Sequence, residues 1–446
     1  MTERFGRALS QGRVPGREPG GGKNRKVDTE SDAYPAESAT MDGSDMADRR
    51  PRVLVLARTF PNNVLPTLGI WTRRMVRASL AVAQPTVISP VPYVPPGIQH
   101  DAYARYRRIL HSRNDDGVDV YHPRVPAGPG TLLISFDSYL TYPVVRRLAD
   151  RLHGEQPFDL IHAHFIYTDG VIAARLGRRY GIPVVTTEHS IWGPAFERFP
   201  AIRRQVMGAL PHIRLVTAVS EAVRASLIAT VGDRMRISIL PNVVDEEAFP
   251  APRADESWDP ELILFVGQIR WVKGLDVLVR ALARLRRRRP NVRLKVIGAS
   301  FYPAQQADWR EVQRLVRELN LETHIDFAGE ASPSEVAAAM RGSALLVLPS
   351  RREALGTVIL EALASGTPVV ATRCGGPEEV VTPEVGRLVP PEDPDAMAVA
   401  VDEMLTLRPS FDRTSLRAYV VARYGSAAIA ARIREVYSEV LSGSTR

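Results

Sequence analysis

The sequence predicts an α/β protein made of two doubly wound, Rossmann-like domains that face a central cleft. Short runs of Val, Ile and Leu alternate with amphipathic stretches from residue 52 onward. This alternation is typical of parallel strands that are buried on both faces and joined by helices. The runs form two series on either side of a Pro- and acid-rich stretch, residues 241–260, so two sheets are expected.

The strands of each predicted sheet follow in chain order. Those of the first sheet are VLVLA (53–57), TVIS (86–89), LIHAHF (160–165), VVTTEH (184–189), LVTAVS (215–220) and ISILPN (237–242). Those of the second sheet are LILFVG (262–267), RLKVIG (293–298), DFAGE (326–330), ALLVLPS (344–350), PVVAT (368–372) and GRLVP (386–390).

Four segments are predicted along the 446 residues. Residues 1–50 lack apolar periodicity and are expected to be disordered, because they cannot bury enough apolar surface to offset the entropy of ordering. Residues 51–250 are expected to form the first domain and residues 251–425 the second. Residues 426–446 are predicted to be a C-terminal helix that can pack back on the first domain.

Composition and charge narrow the class of protein. With 45% hydrophobic and 24% charged residues, the chain is neither fibrous nor wholly disordered. Lysine and arginine outnumber aspartate and glutamate by 58 to 50, so the net charge of +8 favours anionic partners such as phosphates or acidic lipid. No nucleic acid is expected, because neither aromatic-basic interleaving nor a zinc module is found.

The cysteine content and the hydropathy of the chain indicate the cellular compartment in which the protein is expected. The single cysteine, Cys374, excludes an intramolecular disulfide and a multi-cysteine zinc site, which fits a reducing compartment. No signal-peptide core is found, and no stretch reaches the roughly 18 apolar residues of a membrane-spanning helix. A cytoplasmic protein is expected. Residues 102–113, AYARYRRILHSR, leave open a peripheral contact at the inner face of the membrane, or an ordinary amphipathic helix.

Two glutamates eight positions apart, Glu353 and Glu361, frame the start of a predicted helix. Thr357 is the expected N-cap, and Gly356 permits close approach of a ligand. The unpaired N–H groups and positive dipole end of a helix N-terminus favour an anion such as a diphosphate. Carboxylates on either side can accept from sugar hydroxyls, although two solvent-facing charges would have the same spacing.

The glutamate pair, with EALASGTPVVAT (361–372) following, resembles the signature of glycosyltransferase family 4. Members of this family are retaining enzymes of the GT-B architecture. The resemblance implies that Glu353 contacts hydroxyls of the donor sugar and that Glu361 binds the ribose. It also implies that backbone amides at Gly356 and Thr357 hold the donor phosphates.

A second family-like segment is LFVGQIRWVKGLDVLVRAL (264–282). Family members usually carry an Arg directly after the first glycine and a Lys before the second, both on the donor diphosphate. The resemblance therefore assigns Lys273 to the diphosphate. Gln268 stands where the arginine is usual, and Arg270 is either its substitute or a surface arginine.

A third segment, PVVTTEHSIWG (183–193), places His189 at a strand end beside the cleft. The family carries a histidine there that contacts the donor sugar, which implies a catalytic role for His189; a structural histidine is the alternative. His162, His164 and Glu188 raise the further possibility of a metal site. No metal is expected, because the enzymes that the chain resembles need none.

Gly69 belongs to the loop that follows the first strand, and this loop resembles the acceptor-side glycine loop of the family. The glycine either lets the backbone approach a ligand or serves a simple turn.

The resemblance implies a metal-independent enzyme without a cofactor, which transfers a hexose from a nucleoside diphosphate sugar to an acceptor hydroxyl with retention of configuration. The acceptor is left open between a glycolipid, a polysaccharide of the cell envelope and a small molecule, and a lipid-linked acceptor would fit peripheral membrane contact. A sugar-nucleotide epimerase of similar architecture and a non-catalytic sugar-nucleotide-binding scaffold are the alternatives.

Overall fold

The structure, a computed structural model, describes residues 50–93, 104–126, 135–193, 199–253, 255–299 and 306–443. The extension predicted to be disordered, residues 1–50, lies outside the described residues except for Arg50.

Sixteen strands lie within the described residues. They are β1 (Arg52–Leu56), β2 (Gln84–Ile88), β3 (Val91–Tyr93), β4 (Ser112–Asp115), β5 (Val118–Tyr121), β6 (Arg124–Pro126), β7 (Leu160–His164), β8 (Val184–Glu188), β9 (Leu215–Ala218), β10 (Ile237–Ile239), β11 (Asp259–Val266), β12 (Arg293–Ile297), β13 (Ile325–Gly329), β14 (Ser343–Leu348), β15 (Val369–Thr372) and β16 (Gly386–Val389).

Thirteen α-helices lie in the same part of the chain. They are α1 (Ile70–Ser79), α2 (Asp137–Glu155), α3 (Val171–Tyr180), α4 (Pro200–Ala209), α5 (Glu221–Val231), α6 (Leu275–Leu285), α7 (Gln306–Glu318), α8 (Pro333–Gly342), α9 (Thr357–Ala364), α10 (Pro377–Val380), α11 (Pro394–Leu407), α12 (Arg413–Tyr424) and α13 (Ser426–Leu441).

The first sheet has the strand order β10-β9-β8-β7-β1-β2-β5-β4 and is parallel except for β4. Strand order reverses between β1 and β7, so the loops after these two strands line one end of the sheet. Val53 and Val55 of β1 pack with α1 and α13 on one face, whereas Leu54 and Leu56 pack with α2 and α3 on the other. The C-terminal helix α13 therefore covers the first sheet.

The second sheet is entirely parallel, with the order β13-β12-β11-β14-β15-β16. In this doubly wound order the direction of winding reverses between β11 and β14, and ligands bind at the carboxyl ends of the strands beside such a point. The loops after these two strands touch. A Cβ added to Gly274 would lie only 1.9 Å from the carbonyl oxygen of Pro349, so this contact requires glycine.

The structure confirms the predicted class of two doubly wound parallel sheets. Three details differ from the prediction. Residues 105–108 form a short 3-10 helix and β4 follows, so the described part of the segment, residues 104–113, does not form an amphipathic helix, while residues 102 and 103 lie outside the described residues. Strands β3 to β6 were not predicted. The N-cap of α9 is Gly356 at φ 82°, and Thr357 is the first helical residue instead of the cap. The predicted domain boundaries stay predictions.

Candidate active site

Glu353 lies in the loop after β14, beside the point where the winding of the second sheet reverses. Its carboxylate accepts hydrogen bonds from Lys273 Nζ at 2.7 Å and from Ser350 Oγ at 3.1 Å. Its backbone pairs with the loop after β15, donating to the carbonyl of Cys374 and accepting from the amide of Gly376. Two predicted site residues, Glu353 and Lys273, are thus in direct contact, and three loops fix the carboxylate.

A neighbouring arginine holds the lysine loop in place. Arg351 donates to both carboxylate oxygens of Asp276, at 2.7 and 2.8 Å, and its guanidinium lies 4.6 Å from the ring centroid of Trp271. These contacts tie the short 3-10 helix Trp271–Lys273 to the loop after β14. These contacts therefore hold in place the backbone segment that carries Lys273.

Two further arginines, Arg270 and Arg352, belong to the same two loops as Lys273 and Glu353. Burial, followed by the repulsion of the Arg270 cation, lowers the pKa of the Arg352 guanidinium. Within the described residues, neither arginine forms an ion pair. Arg352 reaches the opposite wall of the cleft, because a Cβ added to Gly193 would lie 3.7 Å from its Nη1. The sequence prediction missed Arg352, although it directly precedes Glu353.

Helix α9 begins beside the Glu353–Lys273 pair. Gly356, in the left-handed conformation, starts the helix with no side-chain cap, and its added Cβ would lie 3.4 Å from Glu353 Cγ. The first N–H groups of a helix have no intrahelical partner, so the amides near Thr357 are available to an anion. Gln268 is half-buried in the loop after β11. The backbone amides on either side of it donate hydrogen bonds to the end of β12 and to the residues just after that strand.

Glu361 is paired across the cleft. Its Oε1 accepts from Arg74 Nη1 at 2.6 Å, and Arg74 is supplied by α1 of the first domain. The Arg74 guanidinium is almost fully buried and also lies over the ring of Phe249, at 5.4 Å. The sequence prediction missed Arg74, because nothing in the pattern of α1 shows which helical side chains reach the second domain.

His189 lies directly after β8, and both of its ring nitrogens have partners. Nδ1 is 3.1 Å from Asn242 Oδ1, and Nε2 is 2.9 Å from His164 Nδ1. Burial lowers the pKa of His189 to about 3, so the ring is neutral at physiological pH. His189 can therefore contact a sugar only after releasing one of these bonds. The predicted donor contact stays a prediction.

From His189, the contacts between buried histidines continue deeper into the first domain. His162 contacts Tyr437 Oη of α13 at 2.8 Å and Thr187 Oγ1 at 2.7 Å, and its ring stacks on that of His164. Burial lowers the pKa of His162 to about 4 and that of His164 well below its ordinary value. In the described part of the chain, no group of three or more His, Cys, Asp or Glu residues is arranged to hold a metal ion.

Glu188 shapes the chain around His189. Its carboxylate accepts from the backbone amides of Ile166, His189 and Ser190 and from the Ser190 hydroxyl. Burial raises the pKa of Glu188, while these donors oppose the shift. Glu188 thus positions the turn that carries His189.

Gly69 is the N-cap of α1 at φ 67°, and a Cβ there would lie 2.1 Å from the carbonyl oxygen of Thr59. The glycine is required by this close turn. The turn also sets the direction of α1 and hence of Arg74, and the predicted approach of a ligand to this loop stays a prediction.

Hydrogen bonds also connect the two walls of the cleft. Ser220 Oγ donates to the carbonyl of Ala354, and the amide of Glu221 donates to Glu379 Oε1 at 2.7 Å. The resulting site combines cations, a helix N-terminus and two carboxylates that are already paired. Such a set can bind a diphosphate and hydroxyl groups together.

Two family models match the chain. Residues 249–435 match the model described as glycosyl transferases group 1, and residues 97–248 match glycosyltransferase family 4. A D-inositol 3-phosphate glycosyltransferase of Kineococcus radiotolerans is 32% identical over 72% of this chain and 81% of its own. One component of the phosphatidylinositol N-acetylglucosaminyltransferase of Arabidopsis thaliana is 27% identical over 74% of this chain and 72% of its own.

Solved structures show the same fold at low identity. Sucrose-phosphate synthase of Thermosynechococcus elongatus aligns with a TM-score of 0.70 at 22% identity, covering 89% of this chain and all of its own. Anabaena HepE, solved in complex with UDP-glucose, aligns with a TM-score of 0.64 at 20% identity, covering 87% and 100%. These similarities confirm the predicted GT-B architecture.

Proposed function

The chain belongs to glycosyltransferase family 4, and from this premise we propose that it transfers a sugar from a nucleoside diphosphate sugar to an acceptor hydroxyl with retention of configuration. One observation carries the proposal. Arg270 and Arg352 lack ion-pair partners among the described residues, and they belong to the two loops that supply Lys273 and Glu353, the second of which leads into α9. A diphosphate supplies the negative charge that these two arginines lack.

The reaction breaks the bond between the anomeric carbon and the diphosphate oxygen while a bond to the acceptor oxygen forms. The acceptor proton passes to the departing phosphate oxygen, on the same face of the sugar. Negative charge develops on the diphosphate, where Lys273, Arg352 and the α9 dipole stabilise it without a metal ion. Glu353, held by Lys273, positions the sugar hydroxyls, and Glu361 accepts from the ribose.

The similar proteins guide the choice of substrates. HepE was solved with UDP-glucose, and two relatives are named for inositol 3-phosphate and phosphatidylinositol. We propose a UDP-sugar as the first donor to test, with these two inositol compounds as the first acceptors. GDP- and ADP-sugars complete the donor panel, because the residues that distinguish the bases are not identified.

The experiment follows product formation and anomeric configuration by NMR for each donor and acceptor. Transfer with retention is expected, and Glu353→Gln is expected to lower kcat at least tenfold. Glu361→Gln should instead raise the dissociation constant for the donor. Epimerisation of the donor without acceptor would establish the epimerase alternative. Unchanged turnover in Glu353→Ala and Lys273→Ala would contradict the assigned roles.

A further inference from the structure

The first two turns of α2 carry an unusual exposed surface. Six large apolar side chains are exposed in the described part of the chain, and three of them, Phe136, Tyr139 and Leu140, lie within five consecutive positions. Phe136 is the N-cap of α2, and Tyr139 and Leu140 lie three and four positions further on, so the three side chains lie on one side of the start of the helix. These three side chains, here called the aromatic rim, therefore form one patch.

Arginines extend the same helix face. Arg146 and Arg147 lie seven positions after Tyr139 and Leu140, and both are exposed. From the adjacent helix α3, the guanidinium of Arg175 lies 4.6 Å from the ring centroid of Tyr139. The patch is thus apolar at the start of α2, and further along it carries Arg146 and Arg147, of which Arg146 also lies 4.0 Å from the Asp150 carboxylate.

The aromatic rim stands at the cleft. Arg58, two residues beyond β1, forms an ion pair with Asp137 at 2.7 Å and donates to Thr141 Oγ1 at 2.7 Å. Thr168, from the segment after β7, donates to the same Asp137 carboxylate at 2.8 Å. These bonds tie the first turn of α2 to the carboxyl ends of β1 and β7, which line the acceptor side of the cleft.

We propose that the aromatic rim and the arginines behind it dock the enzyme on the surface of an anionic lipid bilayer, with the acceptor side of the cleft against the membrane. Aromatic and leucine side chains enter the headgroup region, while arginines bind acidic headgroups. A protein partner fits less well, because a stable interface buries about 800 Å² per partner and the apolar patch here consists of three side chains. None of the described helices can span the bilayer, so the contact is peripheral.

The docked orientation also selects an acceptor, an inference that rests on the proposed function. An acceptor hydroxyl on a lipid headgroup would reach the cleft without leaving the membrane. The docking itself does not depend on transfer and is measured without donor.

The test is flotation of the full chain with vesicles of pure phosphatidylcholine or of phosphatidylcholine with 30% phosphatidylglycerol. Wild type should bind only the anionic vesicles and should dissociate as salt rises. Phe136→Ser/Leu140→Ser should weaken binding roughly tenfold. The control Val399→Ser removes an equally exposed apolar side chain from α11 and should leave binding unchanged.

A second pair of variants tests the charge. Arg146→Gln/Arg147→Gln should weaken binding on the order of tenfold or more, since each arginine near an anionic surface contributes independently. Arg287→Gln/Arg317→Gln, which removes two exposed arginines from the second domain, should not.

Absence of binding by wild type, or binding that survives either the Phe136→Ser/Leu140→Ser or the Arg146→Gln/Arg147→Gln substitutions, would overturn the proposal. So would a dimer that Phe136→Ser/Leu140→Ser dissociates. Thermal stabilisation by the donor should be the same in every variant, so failure of docking is distinct from failure of the proposed reaction.

Discussion

Both glutamates of the family-like signature form an ion pair with a cation of the protein. Glu353 is bound to Lys273, which precedes α6 of the same domain, whereas Glu361 is bound to Arg74 of the other domain. Each carboxylate is mostly buried, so the cation offsets the cost of its desolvation. A donor that binds the two carboxylates must share them with these cations or displace the cations. The cations are therefore as much a part of the site as the carboxylates.

The pair between Arg74 and Glu361 predicts a measurable coupling. Arg74→Met leaves Glu361 buried without its cation and should lower the free energy of unfolding by about 2 kcal/mol or more. Glu361→Gln in the same background should recover part of this loss, because a carboxamide needs no counter-charge. Urea unfolding of the four proteins gives the coupling energy.

Arg77→Met is the matched control, since Arg77 lies on the same helix but is only half-buried and pairs with two exposed carboxylates, those of Asp116 and Glu247. Its effect should stay below about 1 kcal/mol. Additive effects of the Arg74 and Glu361 substitutions would contradict the coupling.

At the scale of the element, steric fit of the loops holds the donor side together. Gly376, which begins α10, lies so close to the loop after β14 that an added Cβ would be 2.2 Å from the carbonyl oxygen of Ala354. Its φ of −54° is accessible to any residue, so only space requires the glycine. The fit therefore depends on the absence of a side chain.

Gly376→Ala should displace the backbone that carries Glu353, lowering stability by about 1 to 3 kcal/mol and weakening donor affinity. Thermal unfolding and donor titration measure the two effects. Gly208→Ala in α4 is the control, because no atom lies within 4 Å of its Cβ position. It should stabilise the protein by about 0.5 to 1 kcal/mol. Equal behaviour of both variants would refute the steric explanation.

The strands that the sequence predicted share one property. β1, β7, β8 and β14 are buried on both faces, and this is reflected in apolar runs along most of β1 and β14 and in the apolar pairs that begin β7 (LIHAH) and β8 (VVTTE). β4 (SRND) and β6 (RVP) carry no such pattern, because short polar or proline-containing edge strands are fixed by their neighbours.

The site residues, like the strands, could be predicted only where a short sequence segment identifies them. Glu353, Lys273 and Gly356 belong to short segments with recognisable spacing, whereas Arg74 and Asn242 act through contacts between distant parts of the chain. His189 was placed at the correct strand end, but its bonds to His164 and Asn242 depend on tertiary packing.

At the scale of the whole molecule, buried histidines connect the cleft to the C-terminal helix. The chain of contacts runs from His189 through His164 and His162 to Tyr437. Burial lowers the pKa of all three histidines, so the folded protein keeps them neutral where the unfolded chain takes up protons. Stability is therefore complete above about pH 6.5, the ordinary histidine value, and is lost as pH falls below it.

The urea midpoint should fall between pH 6.5 and about 4, the value for His162. Each buried histidine contributes at most about 1.4 kcal/mol per pH unit to this slope. His162→Gln should make the decline shallower, although it also lowers stability at pH 8. A midpoint in wild type that does not change over this range would show that the histidines are protonated in the folded state.

The central claim is that the cations beside α9 bind the diphosphate of a nucleotide sugar. Calorimetric titration with a nucleoside, its monophosphate, its diphosphate and its diphosphate sugar, for uridine, guanosine and adenosine, tests it directly. For one base, the diphosphate should bind at least tenfold more tightly than the nucleoside. Lys273→Met and Arg352→Met should reduce this ratio, while the distant Arg287→Met should not. Folded wild-type protein that binds no nucleoside diphosphate, or variants that keep the full ratio, would contradict the account.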